Sequence, residues 1–267
     1  MNLDLTKYKR LFTFGCSFTH YIYPTWADLV AKEMSHAEYY NFGTAGSGNL
    51  LISNRIAQAN SKFSFTETDL ILIMWTSACR EDRYVDDAWI TPGNVFIQKH
   101  AYDKDFVKKY ADPVGYMIRD MALIELTRGY LTNLPCKTLY FAIDDLVGEN
   151  TADVKYDQKA QAYLSKINDI YKSTLDGIFP SVMETIGNDI KINHWIDHQN
   201  KPYIDGHPST INYRDFLLLI GFPLSQPTIE YANEVQRKID QAEYVAEVRD
   251  LFPEINSVSK VFYSGLF

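Results

Sequence analysis

Short apolar runs alternate with amphipathic segments along most of the chain. Four runs, at 11–14, 38–42, 69–75 and 137–143, predict buried strands. Six other segments have the spacing of helices: 24–34, 49–59, 116–134, 156–175, 210–219 and 226–252. This alternation predicts an α/β protein with three layers, in which a parallel sheet carries helices on both faces.

Two stretches do not fit a minimal version of this fold. Residues 80–113 are polar, lack helical periodicity and follow the third predicted strand, where open α/β sheets bind ligands. They read either as a solvated loop or as a wall of the substrate site. We therefore predict one α/β domain over 1–220 with an insertion at 80–113. Residues 221–267 would be a helical extension packed on the same domain, suited to contact between copies in an oligomer.

Composition and charge argue against several classes of protein. Apolar residues make up 46% of the chain and charged residues 22%, so extended disorder is not expected. The net charge of −8 and the lack of a basic cluster argue against a nucleic-acid partner. No apolar run is long enough for a membrane span, and the first residues do not look like a secretory signal. Three widely spaced cysteines without a CxxC motif favour a reducing compartment, so we expect a cytoplasmic protein.

The first candidate for chemistry is the segment Gly15-Cys16-Ser17, which ends the first predicted strand. A tight turn here would expose the Ser17 hydroxyl and leave its backbone N–H unpaired, as suits a nucleophile and an oxyanion donor. The alternative is a serine that only caps the turn. Cys16 is a second candidate nucleophile, although its place at the end of a strand predicts a core position.

The second candidate is the glycine-rich turn at 43–48, after the second predicted strand. Glycines allow the backbone to approach a ligand, so that N–H groups can donate to a negative oxygen. The spacing is GxxGxG and not the GxGxxG of dinucleotide-binding turns. A bound dinucleotide is therefore not predicted.

The third candidate is Asp205-Gly206-His207-Pro208, which suits a general base and the carboxylate that orients it. A turn that caps the next helix would look the same. A metal site competes for this region, because five potential ligands lie within fourteen residues: His194, Asp197, His198, Asp205 and His207. No HExxH motif is present and residues 195–196 look like a strand, so no metal is predicted. Asp197 is an alternative partner for His207.

Together, the three segments resemble the sequence blocks of the SGNH, or GDSL-like, hydrolase family, over roughly residues 10–220. The resemblance implies a flavodoxin-like sheet, Ser17 as nucleophile, Gly46 as oxyanion donor, and Asp205 with His207 as the rest of a catalytic triad. It implies neither a metal nor an organic cofactor.

The sequence departs from the family pattern at two places. Members of the family carry GxND after the third strand, and its Asn donates to the oxyanion. In this chain Ser77 occupies the Asn position, with Thr76 and Arg80 beside it as candidate substrate contacts and Asn49 as another candidate donor. The last block is also one residue shorter than DxxH.

The resemblance implies hydrolysis of an ester through an acyl-enzyme intermediate. The substrate would be a small-molecule or carbohydrate ester, and the tyrosine-rich composition agrees with a surface that contacts sugars. The missing Asn leaves open an acyltransferase or a glycan-binding protein with the same fold. A metal- or nucleotide-dependent enzyme is a third hypothesis.

Overall fold

The computed structural model describes residues 3–96, 102–147, 158–253 and 255. Its strands are β1 (Arg10–Gly15), β2 (Glu38–Gly43), β3 (Asp69–Trp75), β4 (Arg83–Val85), β5 (Ala88–Ile90), β6 (Lys137–Ala142), β7 (His194–Ile196) and β8 (Pro202–Ile204). Its α-helices are α1 (Trp26–Glu33), α2 (Asn49–Phe63), α3 (Lys104–Tyr110), α4 (Pro113–Thr132), α5 (Gln158–Ile170), α6 (Lys172–Leu175), α7 (Val182–Ile186), α8 (Thr210–Leu219), α9 (Gln226–Gln241) and α10 (Val245–Leu251).

Four strands form a parallel sheet in the order β2-β1-β3-β6. This order matches the first four positions of a flavodoxin-like sheet. In such a sheet the second strand pairs with one edge of the first strand, and the later strands are added on the other side of the first strand. Because all four strands are parallel, the residues that follow β1, β2 and β3 meet at one edge of the sheet. The predicted α/β fold is confirmed.

The central strand β3 is buried along its whole length, and its side chains alternate between two apolar cores. Leu70, Leu72 and Met74 pack with residues of α1, α8 and α9, whereas the alternate positions Ile71 and Ile73 pack with α2 and α4. Each face of the sheet is thus covered by helices, as the six apolar residues that follow Asp69 in this strand require. The predicted three layers are present.

Several of the predicted helix boundaries are wrong. The single helix predicted at 226–252 is two helices, α9 and α10, because the chain between them pairs with β7 instead. There the Ile196 N–H donates to the Glu243 carbonyl at 2.9 Å. The helix predicted at 156–175 is likewise divided into α5 and α6, and its first two residues lie outside the described residues.

The insertion at 80–113 is more regular than predicted, since it contains the β4–β5 hairpin and α3. Asp82 fixes it to the domain: its carboxylate accepts the N–H groups of Gly48 and Leu51, each at 2.8 Å, at the start of α2. Burial raises the pKa of Asp82, although these two hydrogen bonds favour its charged form.

The C-terminal helices belong to the same core as the sheet. Ala232, Val235 and Ile239 of α9 are buried against α1 and α8, and Val248 of α10 joins them. The division of the chain at residue 220 stays a prediction. In the described part of the chain, no helix has both the length and the apolar character needed to cross a lipid bilayer.

Candidate active site

The first site residue, Ser17, lies on the tight turn that ends β1. The carbonyl of Cys16 accepts the N–H groups of Thr19 at 2.9 Å and His20 at 3.2 Å, which closes the turn. A side chain at Gly15 would clash, because a Cβ atom there would lie 2.0 Å from Thr19 Oγ1. The turn leaves Ser17 partly exposed and points Cys16 into the core, where it is fully buried.

Ser17, His207 and Asp205 form a chain of hydrogen bonds. His207 Nε2 lies 2.8 Å from Ser17 Oγ, although the two residues are 190 positions apart. On the other side of the ring, Nδ1 lies 2.7 Å from Asp205 Oδ1. The imidazole is 18% exposed and the carboxylate is fully buried. The three predicted triad residues thus meet at the carboxyl edge of the sheet.

The Asp205 carboxylate accepts hydrogen bonds from four donors. Besides His207 Nδ1, these are the His207 backbone N–H at 3.2 Å, the Tyr21 hydroxyl at 3.1 Å and the Tyr23 hydroxyl at 2.7 Å. Burial alone would raise the pKa of Asp205, but the hydrogen bonds and charge of His207 and the Tyr23 hydroxyl outweigh it. The pKa is therefore held below its usual value, and Asp205 is a charged group with a fixed orientation.

Aromatic side chains hold the imidazole on two sides. The Tyr21 ring is stacked on the His207 ring, with 3.9 Å between centroids and 27° between planes. Phe18 packs against it at 5.2 Å. The roles of Tyr21 and Tyr23 were not predicted, because nothing in the spacing after Ser17 links these residues to an aspartate near position 200.

The glycine-rich turn after β2 lies beside the Ser17 turn. The Thr44 N–H and the Ser47 hydroxyl both donate to the Gly15 carbonyl, at 3.1 Å each. Gly46 has φ +73°, and a Cβ atom on it would lie 2.1 Å from the Thr91 carbonyl oxygen of the insertion. Among the described residues, no acceptor pairs with the backbone N–H of Ser17 or of Gly46. Both N–H groups suit a negative oxygen.

Two predicted residues do not fit their roles. Asn49 is fully buried, and its amide N–H₂ donates to the Thr76 carbonyl at 2.9 Å and to Asp120 at 3.1 Å. Both of its donors are used, so it is not available to an oxyanion. Thr76 is also fully buried, with its backbone N–H bound to Asn49, so its side chain does not face a substrate. These two residues join the loop after β3 to α2.

The other two predicted residues of this loop are accessible. Ser77 is partly exposed beyond the end of β3, and its hydroxyl and N–H have no hydrogen-bond partner in the described part of the chain. Arg80 is partly exposed as well, and its guanidinium donates to the Ser47 carbonyl at 3.1 Å, next to Gly46. Both remain predictions as oxyanion donor and substrate contact.

The histidines and carboxylates at 194–207 do not converge as metal ligands would. His194 and His198 are exposed, and Asp197 accepts the N–H groups of Gln199 and Lys201 within its own turn. These hydrogen bonds lower the pKa of Asp197. They hold its carboxylate within its own turn, and the carboxylate that pairs with His207 is that of Asp205. Over the described residues, no three His, Cys, Asp or Glu side chains are grouped in a way that would hold a metal ion.

No protein-family model matches the chain, and no curated protein is similar to it in sequence. Solved structures of similar fold include three hydrolases. A GDSL-like lipase from Bacteroides thetaiotaomicron is 15% identical, with 87% of this chain and 92% of that chain covered and a TM-score of 0.40. An esterase from Pseudoalteromonas sp. is 12% identical, with 85% of this chain and 97% of that chain covered and a TM-score of 0.38. A catalytic mutant of an acetylxylan esterase from Geobacillus stearothermophilus is 15% identical, with 80% of this chain and 95% of that chain covered and a TM-score of 0.35.

These structures include members of the family that the three sequence blocks resemble. At such identities and TM-scores the similarity does not assign an activity.

Proposed function

We propose that the protein is a serine hydrolase that cleaves carboxylic esters, with Ser17 as nucleophile. One observation carries the proposal: the unbroken hydrogen-bonded chain from Ser17 Oγ through His207 to the buried carboxylate of Asp205. This is the arrangement that activates a hydroxyl for attack on a carbonyl carbon.

The reaction proceeds in two steps. His207 Nε2 takes the proton of Ser17 as Oγ bonds to the carbonyl carbon, and Asp205 stabilises the resulting imidazolium. The backbone N–H groups of Ser17 and Gly46 donate to the oxyanion, with Ser77 as the third donor. The C–O bond to the alcohol then breaks, and His207 returns the proton to the leaving oxygen.

Water completes the cycle. His207 removes a proton from a water molecule, which attacks the acyl carbon, and the bond to Ser17 Oγ breaks as that oxygen regains a proton. The products are a carboxylic acid and an alcohol. In this scheme His207 carries out the proton transfers, Asp205 stabilises the imidazolium, and the backbone N–H groups of Ser17 and Gly46, with Ser77, donate to the oxyanion.

The test is hydrolysis of p-nitrophenyl acetate by purified wild-type protein and two variants. Ser17→Ala should lose turnover by at least about 10³-fold, because it removes the nucleophile. Cys16→Ala should retain turnover, since the Cys16 thiol is buried. Labelling of Ser17 by a fluorophosphonate, located by mass spectrometry, should occur in the wild type and in Cys16→Ala but not in Ser17→Ala. Full activity of Ser17→Ala would overturn the proposal.

A specific observation favours acyl transfer as a second candidate. Ser77 stands where the resemblance places an Asn donor, and Asn49 cannot replace it because both of its donors are used. A weaker oxyanion site slows both the formation and the breakdown of the acyl-enzyme. The product then depends on whether water or a second alcohol attacks the acyl carbon. An acyltransferase would form a new ester in the presence of an acceptor sugar, whereas a hydrolase would release only acid.

A further inference from the structure

The glycine-rich turn after β2 is a type II turn over residues 44–47. The Ser47 N–H donates to the Thr44 carbonyl at 3.1 Å, which closes the turn. Gly46, its third residue, has φ +73°, and Ala45 before it does not have a positive φ. This combination is that of a type II turn, in which the third residue is usually glycine. The peptide between Ala45 and Gly46 therefore has one defined orientation.

The Thr91 hydroxyl of the insertion donates to the Ala45 carbonyl at 2.8 Å. This carbonyl and the Gly46 N–H belong to the same peptide unit. Because a trans peptide is planar, its C=O and N–H bonds point in opposite directions. The hydrogen bond from Thr91 therefore fixes the direction of the Gly46 N–H as well, and directs it away from Thr91.

The segment of the insertion that carries Thr91 is itself fixed to the loop after β3. Val95 is buried there, and its N–H donates to the Cys79 carbonyl at 2.9 Å. Two residues before Cys79 in that loop is Ser77, the proposed third oxyanion donor. The insertion thus joins the turn that carries Gly46 to the loop that carries Ser77.

We propose that Thr91 is a positioning residue for the oxyanion site. Through the Ala45 carbonyl, its hydroxyl fixes the peptide whose N–H group, on Gly46, donates to the tetrahedral intermediate. The inference rests on the proposed serine hydrolase activity, and it gives the insertion a part in the reaction. Because the hydroxyl proton of Thr91 is used by Ala45, Thr91 acts through Gly46 and not on the substrate.

The hydrogen bond matters because Gly46 permits two orientations of the peptide. Glycine adopts negative and positive φ with similar ease, and a type I turn differs from a type II turn mainly in the rotation of this central peptide. A rotated peptide would direct the Ala45 oxygen, and not the Gly46 N–H, toward the oxyanion. The Thr91 hydroxyl favours the observed orientation. It also polarises the peptide, which strengthens the N–H as a donor.

Two substitutions of Thr91 test the role of its hydroxyl. Thr91→Val keeps the branched shape of the side chain and removes the hydroxyl, whereas Thr91→Ser keeps the hydroxyl. With p-nitrophenyl acetate, kcat and kcat/KM should both fall about 10-fold in Thr91→Val while KM stays within about twofold, because the oxyanion exists only after the substrate is bound. Thr91→Ser should keep kcat within about threefold of the wild type.

Thr132→Val is the matched control. Thr132 is exposed at the end of α4, and its hydroxyl also donates to a backbone carbonyl, that of Arg128, at 2.8 Å. The chain continues from there to the start of β6, at the amino edge of the sheet. The same substitution therefore removes the same kind of hydrogen bond away from the site, and kcat should stay at its wild-type value.

NMR relaxation of the Gly46 amide nitrogen tests the orientation of the peptide without any substrate. The order parameter of this N–H should fall from about 0.85 in the wild type toward about 0.6 in Thr91→Val. It should stay at the wild-type value in Thr91→Ser and in Thr132→Val, because both keep the hydrogen bond to Ala45.

A wild-type order parameter or a wild-type kcat in Thr91→Val would overturn the inference, because water would then replace the hydroxyl equally well. Equal losses in Thr91→Val and Thr91→Ser would also overturn it, since the effect would come from the packing of the insertion. If the wild-type protein neither cleaves the ester nor reacts with a fluorophosphonate, the serine hydrolase proposal fails. A lower Gly46 order parameter in Thr91→Val would in that case still support the role of the Thr91 hydroxyl.

Discussion

The Tyr23 hydroxyl donates a hydrogen bond of 2.7 Å to Asp205 Oδ2, the carboxylate oxygen that does not face His207. Tyr23 is fully buried and follows Ser17 by six residues. One loop therefore carries the proposed nucleophile and a group that holds the carboxylate at the other end of the triad. We expect Tyr23 to act as a positioning residue through Asp205.

Tyr23→Phe removes this donor and preserves the ring. Asp205 then has less to hold it in the plane of the imidazole, so we expect kcat for p-nitrophenyl acetate to fall about 10-fold while KM stays within about twofold. Tyr213→Phe is the matched control: Tyr213 is also fully buried, and its hydroxyl has no hydrogen-bond partner among the described residues. An equal loss in both variants would mean that the effect comes from the core and not from Asp205.

Gly46→Ala tests the backbone of the second loop. The residue has φ +73°, and a Cβ atom would lie 2.1 Å from the Thr91 carbonyl oxygen, so alanine must shift both the glycine-rich turn and the insertion. We expect the free energy of unfolding in urea to fall by about 2–4 kcal/mol. Gly129→Ala on α4, where a Cβ atom has no neighbour within 4 Å, should instead raise stability by about 0.5–1 kcal/mol. A stable Gly46→Ala would contradict this account of the loop.

Ser77→Ala tests the third oxyanion donor. If the hydroxyl donates to the tetrahedral intermediate, its removal should lower kcat about 100-fold with little change in KM. Ser61→Ala, on an exposed position of α2, should leave both constants at their wild-type values. A wild-type rate for Ser77→Ala would show that backbone N–H groups alone stabilise the oxyanion.

Asp120 should make stability depend on pH. Burial raises its pKa to about 6, although Arg119 and Asn49 donate to its oxygens at 2.8 and 3.1 Å. Because the pKa is higher in the folded than in the unfolded chain, the folded chain holds this proton more tightly. Its contribution to stability is complete below about pH 4 and is lost as the pH rises through 6.

Asp120→Asn removes this titration. Relative to the variant, the wild type should lose roughly 2–3 kcal/mol of unfolding free energy between pH 4 and pH 7. Urea unfolding at a series of pH values measures it, and Asp105→Asn on the exposed face of α3 should follow the wild type throughout. A constant difference between wild type and Asp120→Asn would contradict the raised pKa.

The sheet was predictable because its strands are runs of apolar residues bounded by polar ones. Such runs are buried whatever surrounds them, and β3 matches the predicted bounds 69–75. The topology of the sheet also predicts the place of Ser17, which follows β1. His207 instead follows β8 of a separate two-stranded sheet, and its meeting with Ser17 was implied only by the resemblance to the family. The local pattern of apolar and polar residues was sufficient to predict the strands of the parallel sheet, because burial alone decides their structure.

Contacts between distant segments were not predictable from the same patterns. Asn49 looked like an oxyanion donor, but the loop after β3 uses both of its N–H groups. The break between α9 and α10 depends on pairing with β7, about fifty residues earlier, and no local breaker such as proline marks it. No role was predicted for Tyr21 and Tyr23, because their partner Asp205 lies more than 180 residues later in the chain.

The order of the strands and the Asp205–His207 segment along the chain determines when the site can form during synthesis. In the described residues, every strand of the parallel sheet lies before residue 143, whereas Asp205 and His207 come much later. Since synthesis starts at the N-terminus, the platform for Ser17 leaves the ribosome before its base is made. A nascent chain halted after the sheet would carry Ser17 without its base, and the proposed activity would begin only once the segment with Asp205 and His207 had emerged.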